Sequence, residues 1–245
     1  MEKRFEFGQN WKDYIERHFN QERVEASKEH MLKFMGLPAL SGLSFLDVGC
    51  GSGLHSFAAW QSGAERVLSF DYDAKSVQAA RMLHQHAGSP ATWEVCQGSV
   101  LDEGFVRSLP EVDVVYSWGV LHHTGDVWNA IRNAAIPLKP GGLFYIALYS
   151  ADVQKDPTPE FWLATKQRYL KASWFGKRWL ELWYIWRFLL GYRIWRLPQL
   201  LGQWREYTKK RGMHVMTDIR DWLGGWPMEF CYDDDVKRFM VNELN

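Results

Sequence analysis

The 245-residue sequence predicts an α/β fold: a Rossmann-like, doubly wound, mostly parallel sheet with flanking helices and, near the C-terminus, a helical Trp-rich cap insertion. Three observations predict it. From residue 44 to 150, short β-rich runs alternate with segments of helical periodicity, the pattern of a parallel sheet covered by helices. A glycine-rich turn joins the first of these strands directly to a helix, as it does where an α/β sheet receives a ligand. After Ser150 the composition shifts, and seven of the fourteen tryptophans (Trp162, Trp174, Trp179, Trp183, Trp186, Trp195 and Trp204) fall between residues 161 and 211.

Taken in order, residues 10–36 read as helical and amphipathic, with Tyr14, Ile15, His18 and Phe19 followed by Met31, Leu32 and Met35. This segment is expected to lie across the mouth of the sheet. Strands are expected at Ser44–Gly49, Arg66–Asp71, Thr92–Gln97, Val112–Ser117 and Leu143–Tyr149. Leu54, Phe57 and Ala58 recur at helical spacing between the first two and stop at Gly63; Val77, Ala80, Leu83 and Ala87 do so between the second and third, ending at Gly88 and Pro90. Asp126 can cap a helix carrying Val127, Ala130, Ile131 and Ala134, and Lys139-Pro140-Gly141-Gly142 turns the chain into the fifth strand. Asp156-Pro157-Thr158-Pro159 is a break, residues 160–210 read as two or three helices, and the stretch from Arg211 reads as turn-rich before a short final helix from Asp233. The expected organisation is an N-terminal helical segment (1–43), a core (44–150), a Trp/Arg-rich cap (151–211) and a turn-rich C-terminal segment with a helix (212–245).

Lysine plus arginine equal aspartate plus glutamate at 29 each, so no global field favours nucleic acid. The three cysteines, Cys50, Cys96 and Cys231, have no CxxC spacing, which argues against a disulfide framework or zinc ribbon and for a reduced, cytoplasmic setting. The N-terminus lacks the apolar stretch of a signal peptide, and Leu182–Tyr192, broken by Arg187, is too short to span a bilayer. A metal is not expected: His84 and His86 diverge on a helix, and no HExxH or Cys/His cluster exists.

The first strand runs into Leu46-Asp47-Val48-Gly49-Cys50-Gly51-Ser52-Gly53. Glycines let the backbone approach a ligand, and the helix N-terminus that follows presents N–H groups. A dinucleotide fingerprint would place its third glycine where Leu54 stands. The glycines at 49, 51 and 53, with an acid two residues before the first, resemble instead the acid-x-GxGxG pattern of class I S-adenosylmethionine-dependent methyltransferases. The resemblance implies S-adenosyl-L-methionine as cofactor and Asp71, closing strand two, as acceptor of the ribose hydroxyls. It implies cofactor contacts at Asp47, Gly49, Cys50, Gly51, Gly53, Asp71 and Tyr72. Ser99 and Val100 fall in the adenine-bracketing stretch Gly98–Asp102, where many relatives carry an acid in place of Ser99. Ser117 and Trp118 fall where the backbone meets the methionine part, and Ser117-Trp118-Gly119-Val120 is not the (D/N/S)PP(Y/F/W) element of exocyclic-amine methyltransferases. Phe5–Trp11, Phe70–Asp73, Gly98–Asp102, Tyr116–Asp126 and Arg211–Pro227 narrow the resemblance to a bacterial subfamily loosely grouped with ubiquinone-type O-methyltransferases. Such relatives finish with an antiparallel pair of strands. Here only Met228–Tyr232 looks strand-like, so the sheet is incomplete or is completed by a partner or a missing tail.

The expected reaction is in-line methyl transfer to a small-molecule, hydroxyl acceptor, in which positioning supplies most of the catalysis. A hydroxyl needs its proton removed. His123 is the first candidate base and His122 the second; Asp218, Asp221 and Glu229 are alternatives if the C-terminal segment folds over the site, or are helix caps. The alternatives are a protein or RNA methyltransferase and a non-catalytic cofactor-binding protein. Residues 161–211 hold twelve bases against Glu181 and Glu206, a net +10 that the rest of the chain offsets. Trp179, Leu182, Trp183, Trp186 and Leu190 fall at helical spacing among these cations, so the cap is expected to form the acceptor pocket and touch a lipid surface or lipophilic acceptor. The competing expectation is that this face packs on the cap's own core or on a second subunit in a homo-oligomer. No nucleic-acid partner is expected.

Overall fold

The computed structural model describes residue 8, residues 21–211 and residues 215–244. The expected helical residues Tyr14, Ile15, His18 and Phe19 lie outside them, and from Gln21 to Met35 the chain is a helix, α1. The alternation then runs β1 (Ser44–Val48), α2 (Leu54–Gln61), β2 (Arg66–Asp71), α3 (Ala74–His86), β3 (Trp93–Gln97), α4 (Glu103–Arg107), β4 (Val112–Trp118), a 3-10 turn (Leu121–His123), α5 (Val127–Ala135) and β5 (Leu138–Ala147). The strands form one parallel sheet in the order β3-β2-β1-β4-β5. Strand order reverses between β1 and β4, and at such a switch point the two crossovers leave in opposite directions and open a crevice at the carboxyl ends.

Each strand alternates its side chains between two cores, as its two-residue period requires. Phe45, Val67, Val114 and Tyr116 pack against Met31 of α1, Phe57 of α2 and Leu83 of α3. Leu46, Val48, Leu68 and Val115 pack with Val127, Ile131 and Ala134 of α5. At the amino ends, Asp113 of β4 accepts from the Ser44 amide (2.9 Å) and hydroxyl (2.5 Å) and from Lys139 Nζ (2.9 Å), tying β1, β4 and β5 together. β5 begins at Leu138, earlier than expected: Val112 pairs with Leu138 and Val114 with Leu143, so Lys139–Gly142 form an excursion within the strand.

The described residues fall in two compact units, one comprising residue 8 with 21–153 and 228–244, the other 154–211 with 215–227. In the first, Met228–Tyr232 makes only a single parallel bridge, Cys231 to Ser150, with the Cys231 amide on Tyr149 O (3.0 Å). The helix α10 (Asp233–Glu243) follows at once and lays Phe239 on Trp128 of α5, ring centroids 5.0 Å apart. Among the described residues the sheet has no antiparallel strand.

In the second unit, α6 (Pro159–Lys171) starts on the Thr158 hydroxyl and α7 (Trp174–Tyr184) on the Ser173 hydroxyl. A π turn (Ile185–Leu189), a 3-10 turn (Ile194–Arg196) and α8 (Leu197–Arg211) follow. The stretch after Arg211, expected to be turn-rich, is a helix over Val215–Gly224, α9. Val215, Ile219 and Leu223 explain the difference: spaced by four, they form a buried stripe that the intervening Asp218 and Asp221 and the following Gly224 and Gly225 obscure. Trp162 lies inside against Phe188 and Trp222, and Glu181 is buried between the Tyr169 hydroxyl (2.8 Å), Arg178 (2.6 Å) and Arg220 (3.3 Å). Lys166 is buried too, donating to Trp222 O with its ammonium 4.4 Å from the Trp222 ring; burial pulls its pKa down to about 7. Among the described residues, no helix is long and apolar enough to cross a membrane.

Candidate active site

β1 delivers the chain into a turn in which Gly49, Gly51 and Gly53 all have positive φ (+76°, +53° and +77°). The Gly49 and Cys50 amides both donate to Phe70 O of β2 (2.9 and 3.0 Å), holding the turn against the neighbouring strand. A side chain at Gly49 would be strained on two counts, since its Cβ would stand 2.3 Å from the Val120 side chain, which would have to shift, and in a left-handed conformation. The Gly51 amide donates to Asp71 Oδ2 (2.9 Å), while Asp71 Oδ1 accepts from the Asp73 amide (2.8 Å). Asp71 therefore pins the turn through both carboxylate oxygens. Asp73 in turn caps α3 through the Lys75 amide and accepts from the Gly8 amide (3.0 Å).

Asp47 precedes this turn and Cys50 lies within it, both buried. Burial raises the Asp47 carboxyl from 3.8 to about 7, against the lowering effect of the Ser56 hydroxyl, which donates to it at 2.6 Å; the Asp71 charge raises it further. Burial also pushes the Cys50 thiol well up, so it stays protonated. A desolvated carboxyl poised near neutrality, a second carboxylate beside it and a turn with no side chains suit a ligand carrying both a cation and vicinal hydroxyls. S-adenosyl-L-methionine is such a ligand.

The other sequence-predicted contacts lie along the same carboxyl edge. After β3, the Gly98 amide donates to Asp71 O (3.0 Å), and Ser99 Oγ accepts from the Leu101 amide (3.2 Å). Val100 is buried, its carbonyl held by Asn133 Nδ2 (2.9 Å), and Tyr72 is exposed. After β4, Ser117 is buried with its hydroxyl on Val48 O (3.0 Å), whereas Trp118 is partly exposed.

Trp118 belongs to a group of rings that sequence reasoning missed. It stacks on Tyr145 of β5 (6.2 Å, interplanar angle 6°), which stacks on Tyr116 (5.4 Å, 10°). His30 and Phe34 of α1 meet Trp118 edge-on at 5.1 and 5.7 Å. His55, the second residue of α2, lies next to Asp47's partner Ser56 and 3.4 Å from the Tyr116 hydroxyl. Burial, then the proximity of His30, lowers the His55 pKa to about 4, so its imidazole is neutral at pH 7. The signal was present as Tyr116 and Trp118 at period two and His30 and Phe34 at i, i+4, but nothing local paired them.

His122 and His123 form the 3-10 turn after β4, His122 buried and His123 half-buried, their rings 4.4 Å apart. The His122 ring meets Tyr149 edge-on at 4.5 Å, and its carbonyl accepts from the Glu229 amide (2.8 Å). Glu229 accepts from the Val127 amide (3.0 Å), which makes it a cap of α5; burial raises its pKa. Asp218 and Asp221 lie on α9 in the other unit, where Asp218 acts electrostatically on Tyr184 and Asp221 on Lys166.

Residues 46–146 match a family described as a methyltransferase domain. The chain is 30% identical over 125 residues to a ubiquinone biosynthesis O-methyltransferase of Methylobacterium sp. (strain 4-46), covering 51% of this chain and 48% of that one. It is 33% identical over 109 residues to a tRNA U34 carboxymethyltransferase of Saccharophagus degradans, covering 43% and 33%. It thus spans less than half the length of either relative. A solved S-adenosylmethionine-dependent methyltransferase from Mesorhizobium loti aligns at 27% identity and a TM-score of 0.41, over 52% of this chain and 56% of that one.

Proposed function

Because residues 46–146 form a class I S-adenosylmethionine-dependent methyltransferase domain, we propose that the whole chain methylates a hydroxyl group of a small, flat, aromatic acceptor. The observation that carries this reading is the ring group of Trp118, Tyr145, His30, Phe34 and His55 beside Asp47 and the glycine turn. A partly exposed indole flanked by rings takes a planar partner by stacking or edge contact, and the neutral His55 imidazole can hydrogen-bond a hydroxyl.

When bound, the cofactor supplies an activated methyl group on a sulfonium with a neutral leaving group. The chain's own residues do the rest. Asp47 takes the ammonium, Asp71 the ribose hydroxyls, Tyr72, Ser99 and Val100 the adenine side, and Cys50, Ser117 and Trp118 border the methionine part. The rings hold the acceptor in line, which is where most of the rate comes from in such a displacement. His123 accepts the hydroxyl proton, while His122, held at ring and carbonyl, positions it.

Release of S-adenosylhomocysteine is measured with phenols, a polyprenylated phenol, tRNA and a peptide as acceptors. Turnover with a phenol is expected. His123→Ala should lower kcat by about 10²–10⁴ with cofactor affinity retained, and Trp118→Ala should raise KM. Asp71→Ala should weaken cofactor binding by about 1.5–3 kcal/mol, and Gly51→Val should abolish it. Turnover with tRNA alone would replace this reading by the second one, an RNA acceptor, which the relatives named for tRNA support. Cofactor binding without release on any acceptor would leave a non-catalytic protein.

A further inference from the structure

The tryptophans after residue 160 divide into an inner and an outer set. Trp162 is buried and Trp183 half-buried against Phe161. Phe175, Trp179, Leu182 and Trp186 recur at i, i+4, i+7 and i+11, one stripe along α7 and its π turn, and all four are exposed, Trp179 at 66% and Leu182 at 62%. The stripe continues in kind through Tyr192, Ile194, Trp195 (72%), Leu197 and Leu201. This corrects the face read from the sequence: Leu190 is buried and Trp183 turns partly inward, so the outward stripe runs through Phe175 instead. A solvated helix would show water its polar side, and here the outward side is the apolar one.

The charge around the stripe has one sign. Lys177, Arg178, Arg187, Arg193 and Arg196 lie among these residues, and between positions 172 and 204 the only acid is Glu181. Glu181 does not reach the surface, being buried and paired with Arg178 and Arg220. Arg193 and Arg196 are exposed next to Trp195. An apolar, Trp-bearing stripe edged with cations that outnumber its one acid, Glu181, is the surface that lies in a bilayer interface.

We propose that α7, its π turn and the 192–201 segment form a docking face for an anionic phospholipid bilayer. Trp179, Leu182, Trp186 and Trp195 enter the headgroup boundary, and Arg193 and Arg196 meet the lipid phosphates. A second copy of this chain fits less well, since a two-fold contact through this face would oppose identical cations. Single-stranded RNA would use the cations and the rings, but gains nothing from Leu182, Ile194, Leu197 and Leu201.

The test is co-sedimentation of the full chain with phosphatidylcholine vesicles, with and without phosphatidylglycerol, at low and high salt, paired with sedimentation velocity and a tRNA competition. Binding is expected only to the anionic vesicles, weakening about tenfold or more between about 0.05 and 0.5 M salt. Arg193→Ala with Arg196→Ala should weaken it about 25-fold, about fivefold for each cation, and Trp179→Ser with Leu182→Ser should abolish it while circular dichroism stays unchanged. No binding to anionic vesicles at low salt overturns the proposal. So does self-association or tRNA binding lost in the Trp179→Ser, Leu182→Ser variant without vesicle binding. Methyl-transfer activity plays no part in this readout.

Discussion

Asp47 illustrates how one buried side chain couples the site to pH. Its carboxyl is raised from 3.8 to about 7, chiefly by burial, so the folded protein without cofactor keeps a proton that the unfolded chain loses near pH 4. Its contribution to stability is therefore fully present below about pH 4 and is lost as pH rises to about 7. A ligand ammonium favours the ionised form and reverses the preference. Binding of S-adenosylhomocysteine should then release a proton below pH 7, with affinity rising as pH passes through about 7. Calorimetry in buffers of different ionisation enthalpy measures both effects. Asp47→Asn should lose the pH dependence; an unaltered pH profile in that variant would remove Asp47 from the ammonium site.

Between elements, two polar clusters do the joining, and they respond to different perturbations. At the amino ends of β1, β4 and β5, the Ser44 hydroxyl and amide and the Lys139 ammonium hold the Asp113 carboxyl down at about 2. The sign is opposite to that of Asp47: stability is present above pH 3.8 and lost as pH falls toward 2. Thermal melts between pH 5 and pH 2 should show Asp113→Asn losing stability at pH 5 and showing a shallower acid slope than the parent. In the second unit, Glu181 joins α6, α7 and α9 through Tyr169, Arg178 and Arg220. Glu181→Ala would strand two arginines and a tyrosine hydroxyl. Removing one partner of a buried pair costs about 3–5 kcal/mol, and the lower end applies because both arginines are about two-fifths exposed. Urea denaturation followed by tryptophan fluorescence reports this, and a loss below about 1 kcal/mol would mean that the network behaves as a surface pair.

For the molecule as a whole, the zero formal charge conceals a segregation, +10 in residues 161–211 and −10 in the remainder. With a pI near 7.1, there is no net repulsion at neutral pH to oppose head-to-tail attraction between copies. Solubility at low ionic strength should pass through a minimum near pH 7 and rise with added salt, because exposed charges more than a Debye length apart are screened. Light scattering across pH and salt measures this; solubility that falls with added salt at pH 7 would assign any association to the apolar stripe instead.

The strand–helix alternation and the glycine turn were legible because each depends on local rules: period two for strands, spacing near 3.6 for helices, and the backbone freedom of glycine after β1; Asp71 was singled out only by the family resemblance of that pattern. The stretch after Arg211 was misread for the complementary reason, since burial of Val215, Ile219 and Leu223 outweighs the turn-forming residues around them. Only the tertiary structure decided that Trp118 meets His30 and Tyr145, that Glu229 caps α5 a hundred residues earlier, and that Cys231 joins Ser150. The stripe on α7 divides along the same line. The sequence determined that its apolar residues recur at helical spacing; packing around Trp162 and Glu181 decided which of them turn inward, because a periodicity specifies a face and only its neighbours specify what that face meets.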